Sequence, residues 1–452
     1  MTVTERISNF ISSCSYQDLP SEAIDMAKSA IMDYVGVTIA GFSEKSSRIV
    51  CRIINRLGGN PQATIWGSGL KTSVSLAALA NGTAAHALDY DDTNPAIMGH
   101  PSVQLFPGLF ALAEYKEKTG SQLILGYVSG FEIGVRLGKA LNPELVYQGW
   151  FPVGTLGVLM QTAGCAKLLD LDRDQTSMAI GIASNLASGL RCNNGTMAKS
   201  LLAGQVGSNG ILAALLAREG MTADRNALED RFGFFENFSK GDRAKLKNAI
   251  EGLGNHFNMI ESGISYKIYP SCAGTHMPID CALEISRRYK PVAEDIKEIQ
   301  VSLGSYAKYL LIHPRPTTEI EAKFSLEYCV ARALLDGEMG LEQFSSEKIQ
   351  DRYVRALIEK IHSNYYDKPG VEEGKRPPVE MNVHMKDGRI YSFRVEAAKG
   401  TSSNPLTKDE LKEKFTRCCK DKLDENRITL LGEKLGNLEQ ISNVAELITL
   451  LV

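Results

Sequence analysis

Residues 201–219 read LLAGQVGSNGILAALLARE, and the reading of this stretch decides what kind of molecule the chain builds. Apolar side chains recur along it at helical spacing, which predicts a helix with a buried face. Yet Gly204, Gly207 and Gly210 stand inside it, and glycine costs about 1 kcal/mol relative to alanine in a helix interior. That cost is offset where missing side chains let two helix backbones approach closely. The same combination returns at 122–141, with Gly130, Gly134 and Gly138. The helical pattern also repeats at 74–87, 104–118, 154–169 and 176–189. Near the N-terminus, Pro20-Ser21 opens a helix with Ile24, Ala27, Ile31 and Val35 on one face, loosening at Gly36 and Gly41. Almost no strand signal interrupts these segments, so a dense all-helical bundle is expected.

The character changes after about residue 267. Residues 298–303 and 379–384 alternate like half-buried strands, and Lys386-Asp387-Gly388-Arg389 is a turn feeding a third strand at 390–395. Helices near 276–288 and 322–336 flank the first strand in sequence. From Leu406 the stretch TKDELKEKF opens an amphipathic helix, and the tail to Val452 is helical again. The expected fold is therefore mainly α: a large all-helical domain built from both chain ends, 1–266 and 404–452, with a smaller α+β domain at 267–403. The most linker-like stretch is 367–378, DKPGVEEGKRPP.

Composition narrows the function. The 452 residues, 44% of them hydrophobic, bury a large core. Fifty basic and 53 acidic residues leave a formal charge of -3, so no global field recruits nucleic acid or an anionic membrane, and an anionic ligand must meet local cations. The nine cysteines are odd in number and show no CxxC pairing, which reads as reduced thiols. The N-terminus MTVTERISNF is too polar for a secretory signal, and no apolar run is read as approaching the roughly 20 residues that span a bilayer. A cytoplasmic location is expected.

Residues 86–101, HALDYDDTNPAIMGHP, place two histidines and three aspartates in a loop between apolar helices. One reading is a metal site, with His86, Asp89, Asp91 and Asp92 as ligands, although no second ligand cluster follows. The ordinary reading gives Asp91 or Asp92 to a helix cap and leaves His86 as a satisfied core histidine.

HALDYDDT followed by HPS resembles the signature loop of the MmgE/PrpD family, which includes 2-methylcitrate dehydratases, cis-aconitate decarboxylases and iminodisuccinate epimerases. Four further segments agree in order and spacing: GWFPVGTLG from Gly149, GTMAKSLLAGQ from Gly195, KIYPSCAGTH from Lys267 and HPRPTTEIEAKFSLEYCVARALLDG from His313. The resemblance implies a helical domain with a smaller α+β lid, a homodimer, and an active site that uses no metal or other cofactor. It places active-site roles on Asp89, Thr93, His100, Lys199 and Lys267.

Each role makes chemical sense. The family's substrates are small di- and tricarboxylates, and the shared first task is to move a proton at carbon next to a carboxylate. Lys199 and Lys267 are expected to bracket the negative charge that develops, or one of them to act as a base. A lysine without matching flanks would be read as solvated surface. His100 is expected to be the general acid or base, with Asp89 orienting it and Thr93 binding a substrate carboxylate. Tyr309, in YLLIHPRP, offers a phenolic proton or simply packs. His276, His313 and Cys272 are pocket lining or core, and His256, His362 and His384 carry no motif. Cys418-Cys419 has no catalytic partner in sequence, and GWFPVGTLG follows no strand of a βαβ unit, so it is no dinucleotide loop.

This chain also departs from the family. Phe151 stands where GWFPVGT usually carries a histidine, Ser200 and Leu202 stand where proline and histidine are frequent, and Cys272 replaces a histidine of the cis-aconitate decarboxylases. Phenylalanine neither transfers a proton nor binds a carboxylate by charge, so a more apolar pocket and a smaller or partly apolar acid are expected. The leading expectation is a dehydratase. An epimerase needs no leaving group and suffers least from the absent histidine. A decarboxylase and a non-catalytic binding homologue are the remaining readings.

Overall fold

A computed structural model describes residues 1–239, 243–367 and 376–452, so most of the linker-like stretch 367–378 lies outside the described residues. The chain is mainly α and separates into two units: Met1–Ile264 together with Thr407–Val452, and Ser265–Leu406.

The first unit opens with α1 (Val3–Ser13), α2 (Ser21–Gly41) and α3 (Lys45–Leu57). The α1 start is a capping box, in which Thr2 and Glu5 each satisfy the other's backbone N–H. A small ribbon follows, β1 (Ala63–Thr64) antiparallel to β2 (Lys71–Thr72). This corrects the expectation of an all-helical domain, because strands of two residues are too short to leave a readable alternation. Then come α4 (Val74–Ala87), α5 (Pro101–Tyr115), α6 (Gly120–Leu141), the single turn α7 (Glu144–Tyr147), α8 (Pro152–Leu168), α9 (Arg173–Asn185) and α10 (Met197–Arg218). Short helices α11 (Phe234–Phe238), α12 (Arg243–Ala249) and α13 (Asn258–Ser262) complete this part.

The recurrent glycines mark close backbone approaches. A Cβ on Gly82 of α4 would stand 2.7 Å from the Cα of Gly204 on α10, and a Cβ on Gly204 would stand 2.1 Å from the carbonyl oxygen of Leu79. The backbones of α4 and α10 therefore touch. Helix α10 also corrects a sequence expectation, since its 22 residues are long and apolar enough to cross a bilayer. More than half of its apolar window is buried, it packs on α4, α5, α8 and α9, and its Lys199 is ion-paired inside the unit. Such a helix is apolar because it is enclosed by other helices.

The second unit contains α14 (His276–Tyr289), β3 (Ile296–Gly304), α15 (Glu319–Ala322), α16 (Leu326–Asp336), α17 (Ser346–Gln350), α18 (Arg352–Ile358), β4 (Ile361–Tyr366), β5 (Val379–Met385) and β6 (Ile390–Val395). The sheet order is β4-β3-β5-β6, with β4 parallel to β3 and the other pairs antiparallel. Val379, Met381, Val383 and Met385 bury one face of β5, against which α14 packs. The edge strand β4 is an addition to the sequence reading. Its residues IHSNYY carry no apolar alternation, and the exposed His362 lies on it.

From Thr407 the chain rejoins the first unit through α19 (Lys408–Cys419), α20 (Glu425–Gly436) and α21 (Ala445–Ile448). Lys414 on α19 is buried with its Nζ 2.5 Å from Asp33 Oδ1 on α2. The same ammonium donates to the Tyr90 carbonyl at 2.8 Å. The returning helix thus holds the loop on which the candidate site is built. All nine cysteines are free thiols, and Cys418 and Cys419 are buried in α19.

Candidate active site

The loop between α4 and α5 is fixed from within and from outside. Asp89 and Met98 both adopt left-handed backbone, with φ of 52° and 51°, a region that aspartate tolerates better than most residues. Between them, Asn94 N–H bonds Gly99 O at 3.1 Å and Ile97 N–H bonds Asn94 Oδ1 at 2.9 Å. The Asn142 amide, beyond the end of α6, donates to the carbonyls of Ala96 and Ile97 at 2.9 Å.

The three aspartates of this segment part company. Asp89 Oδ1 accepts from Lys199 Nζ at 2.7 Å. Asp91 Oδ2 lies 2.9 Å from Nδ1 of both His86 and His100. Asp92 accepts from Ser102 N–H at 3.1 Å and Ser102 Oγ at 2.5 Å, capping the first turn of α5 from the loop. The cap reading therefore holds for Asp92. The structure corrects the role given to Asp89, because the carboxylate on His100 Nδ1 belongs to Asp91.

His100 Nδ1 also lies 3.0 Å from the Asp92 carbonyl oxygen. Both neighbours of Nδ1 are acceptors, so the neutral ring carries its proton there and its basic lone pair on Nε2. His86 completes the cluster, with Nε2 2.7 Å from Lys199 Nζ and its ring edge-on to His100 at 4.6 Å. Burial depresses the His86 pKa. Burial alone would raise that of Asp91, but the two imidazoles outweigh it and hold the carboxyl well below its usual range. Burial, with the nearby Asp33, pushes Asp92 up to about 8 against its bonds from Ser102.

His86, Asp89, Asp91 and His100 each place a donor atom within 4.8 Å of the others, a grouping that invites a metal. The donors do not fit one. His86 Nε2 and Asp89 Oδ1 hold the Lys199 ammonium, and Asp91 Oδ2 faces two Nδ1–H groups. The cation held by two of the four residues, His86 and Asp89, is a lysine.

Helix N-termini frame this cluster. His100 is the N-cap of α5 and Phe151 the N-cap of α8, each followed by proline in the first helical position. Lys199 lies in the first turn of α10, buried, and its Nζ stands 5.7 Å from the Phe151 ring centroid. Phe151, where the resemblance leads one to expect a histidine, thus lies against the lysine of the cluster. N-terminal helix ends carry partial positive charge, so these ends and Lys199 favour an anion.

Thr93 follows Asp92 and is half-buried. The remaining expected residues belong to the second unit and are described within it. Lys267 is buried. Cys272 is buried, its N–H bonded to Lys323 O at 2.9 Å. His276 begins α14 with its ring edge against Tyr269, and Tyr309 ends a 3-10 turn, 60% exposed. Sequence reasoning named His86 and Asp91 as metal ligands or as core and cap residues, and not as active-site members. The signal was present in HALDYDD, because a histidine and three acids between two buried helices cannot all turn to solvent.

The chain belongs to the MmgE/PrpD family. The family's N-terminal domain matches residues 5–247 and its C-terminal domain residues 269–436. Among particular relatives, the chain is 27% identical to a cis-aconitate decarboxylase-like protein of Aspergillus oryzae, over 99% of this chain and 97% of the relative. It is 26% identical to the cis-aconitate decarboxylase of Homo sapiens, over 100% and 94%. A 2-methylcitrate dehydratase of Salmonella typhimurium is 25% identical over 63% of this chain and 61% of its own length.

Proposed function

We propose that this protein is a lyase that acts on a small di- or tricarboxylate, removing a proton next to a carboxylate and expelling hydroxide from the neighbouring carbon. One observation carries the reading: the basic Nε2 of His100 and the ammonium of Lys199 belong to one buried cluster framed by helix N-termini. In this reading His100 takes the carbon-bound proton at Nε2, and the C–H electron pair passes into an enediolate. Asp91 holds the imidazolium that results. Lys199 faces the enediolate, whose added negative charge is strongest in the transition state. The C–O bond then breaks, and the departing hydroxide takes a proton from Lys199 and leaves as water.

Thr93 is assigned to a substrate carboxylate and Phe151 to the pocket wall. Phe151 beside Lys199 supports a substrate with fewer charges than a tricarboxylate, or with an apolar group at that position. A homodimer and a cytoplasmic location remain part of this proposal. So does chemistry without a resident metal, which the Lys199 ammonium on His86 Nε2 and Asp89 Oδ1 supports.

Decarboxylation is the second reading, favoured by end-to-end similarity to relatives named cis-aconitate decarboxylases. There Lys199 holds the acid, carbon dioxide leaves, and His100 returns a proton to carbon. Proton NMR in deuterium oxide separates the readings, with citrate, 2-methylcitrate, cis-aconitate and simple hydroxy and amino diacids as substrates. New vinyl signals with loss of a hydroxyl-bearing carbon are the expected result. Release of carbon dioxide supports the second reading, and deuterium uptake without net conversion makes the protein an epimerase. A raised melting temperature with a dicarboxylate that is never consumed makes it a binding homologue and ends the lyase proposal.

A further inference from the structure

His86 and Asp91 link the two groups on which the proposed chemistry depends. One oxygen of Asp91 lies 2.9 Å from Nδ1 of each histidine, and a carboxylate only accepts hydrogen bonds. Both rings therefore carry hydrogen on Nδ1. For His86, which is fully buried in its side chain, the other ring nitrogen lies 2.7 Å from Lys199 Nζ. A charged ring would set an Nε2–H donor against an ammonium donor. His86 is accordingly neutral, and its Nε2 accepts from Lys199.

The direction of these bonds decides what the chain Lys199, His86, Asp91, His100 does. Both Nδ1–H groups point at the same carboxylate oxygen, so no proton passes from one end to the other without both rings changing tautomer. The arrangement is a clamp rather than a wire. It also preserves charge, because a neutral imidazole holds the ammonium by a second bond without adding a second carboxylate beside Asp89.

We propose that His86 is a positioning residue that sets the Lys199 ammonium relative to the His100 base, with a single oxygen of Asp91 fixing the tautomers of both rings. This rests on the lyase reading for the roles of Lys199 and His100, but not for the tautomers.

The test has two arms. Nitrogen-15 NMR of histidine-labelled protein, assigned by single histidine variants, needs no substrate. Neutral Nδ1–H forms for both His86 and His100 are expected at neutral pH, and an Nε2–H or charged His86 overturns the proposal. The second arm uses the different reach of two amides. In His86→Asn the amide approximates Nδ1, keeping the donor to Asp91 and losing the acceptor for Lys199. In His86→Gln the carbonyl approximates Nε2, keeping that acceptor and losing the donor. A displaced catalytic group costs on the order of a hundredfold, so His86→Asn is expected to lower kcat by about that factor with the His100 resonances retained, and His86→Gln to lose less. Equal losses in the two variants overturn the positioning role. If the expected tautomers are found and no acid is turned over, the lyase reading falls and the clamp stands.

Discussion

Buried beneath the first turn of α5, Asp92 keeps its proton to about pH 8 because desolvation and Asp33 outweigh its bonds from Ser102. An unfolded aspartate loses its proton near pH 4. Between those values the folded chain holds a proton that the unfolded chain has released, so stability falls as pH rises. The contribution is complete below about pH 4 and is lost as pH passes through about 8. Asp92→Asn should flatten this part of the stability profile, read from urea midpoints between pH 5 and 8, and an unchanged slope would assign the titration elsewhere. Lys199 gives a second prediction. Its ammonium occupies His86 Nε2 and Asp89 Oδ1, so Lys199→Ala frees an imidazole nitrogen and a carboxylate oxygen and should bind cobalt(II) more tightly than the unaltered protein, read from a visible absorption band. Turnover in that variant should fall by at least a hundredfold, by loss of the charge that faces the enediolate.

The helices obey packing rules that single substitutions can probe. A methyl on Gly204 meets the Leu79 carbonyl oxygen at 2.1 Å, whereas one on Gly432 in α20 meets nothing nearer than a Phe415 ring atom at 3.8 Å. Gly204→Ala should destabilise by about 1–3 kcal/mol or more as α4 and α10 separate. Gly432→Ala should be neutral or stabilising by up to about 1 kcal/mol, both read by chemical denaturation. This is also where the sequence was most informative. Helical spacing located α2, α4 to α6 and α8 to α10 to within a few residues, alternation located β3 and β5, and the turn at 386–389 placed β6. The ribbon β1–β2 is too short to carry a period, and β4 is a polar edge without one. At the site, matching motifs led to His100, Lys199 and Asp89, but which carboxylate meets which ring depends on the left-handed turn at Asp89, and spacing alone does not reveal that turn. His86 looked like an ordinary core histidine because its partners, Asp91 and Lys199, come together only in three dimensions.

Across the whole molecule, the first unit is closed by its own distant end. Lys414 returns on α19 to neutralise Asp33 and hold the Tyr90 carbonyl. Lys414→Met leaves a buried carboxylate without its cation and should cost about 3–5 kcal/mol. Adding Asp33→Leu should restore most of that loss, and a double variant no more stable than the single one would show that the Tyr90 bond, not the ion pair, carries the effect. The second unit is continuous and has its own core, from Tyr269 to Ala398. The arrangement has a consequence for biosynthesis. A ribosome delivers α4, the His-Asp loop and all of the second unit before α19 exists, so the nascent chain must wait with Asp33 uncompensated and the Tyr90 carbonyl without its bond from Lys414. A stop codon placed before α19 should therefore yield protein without activity.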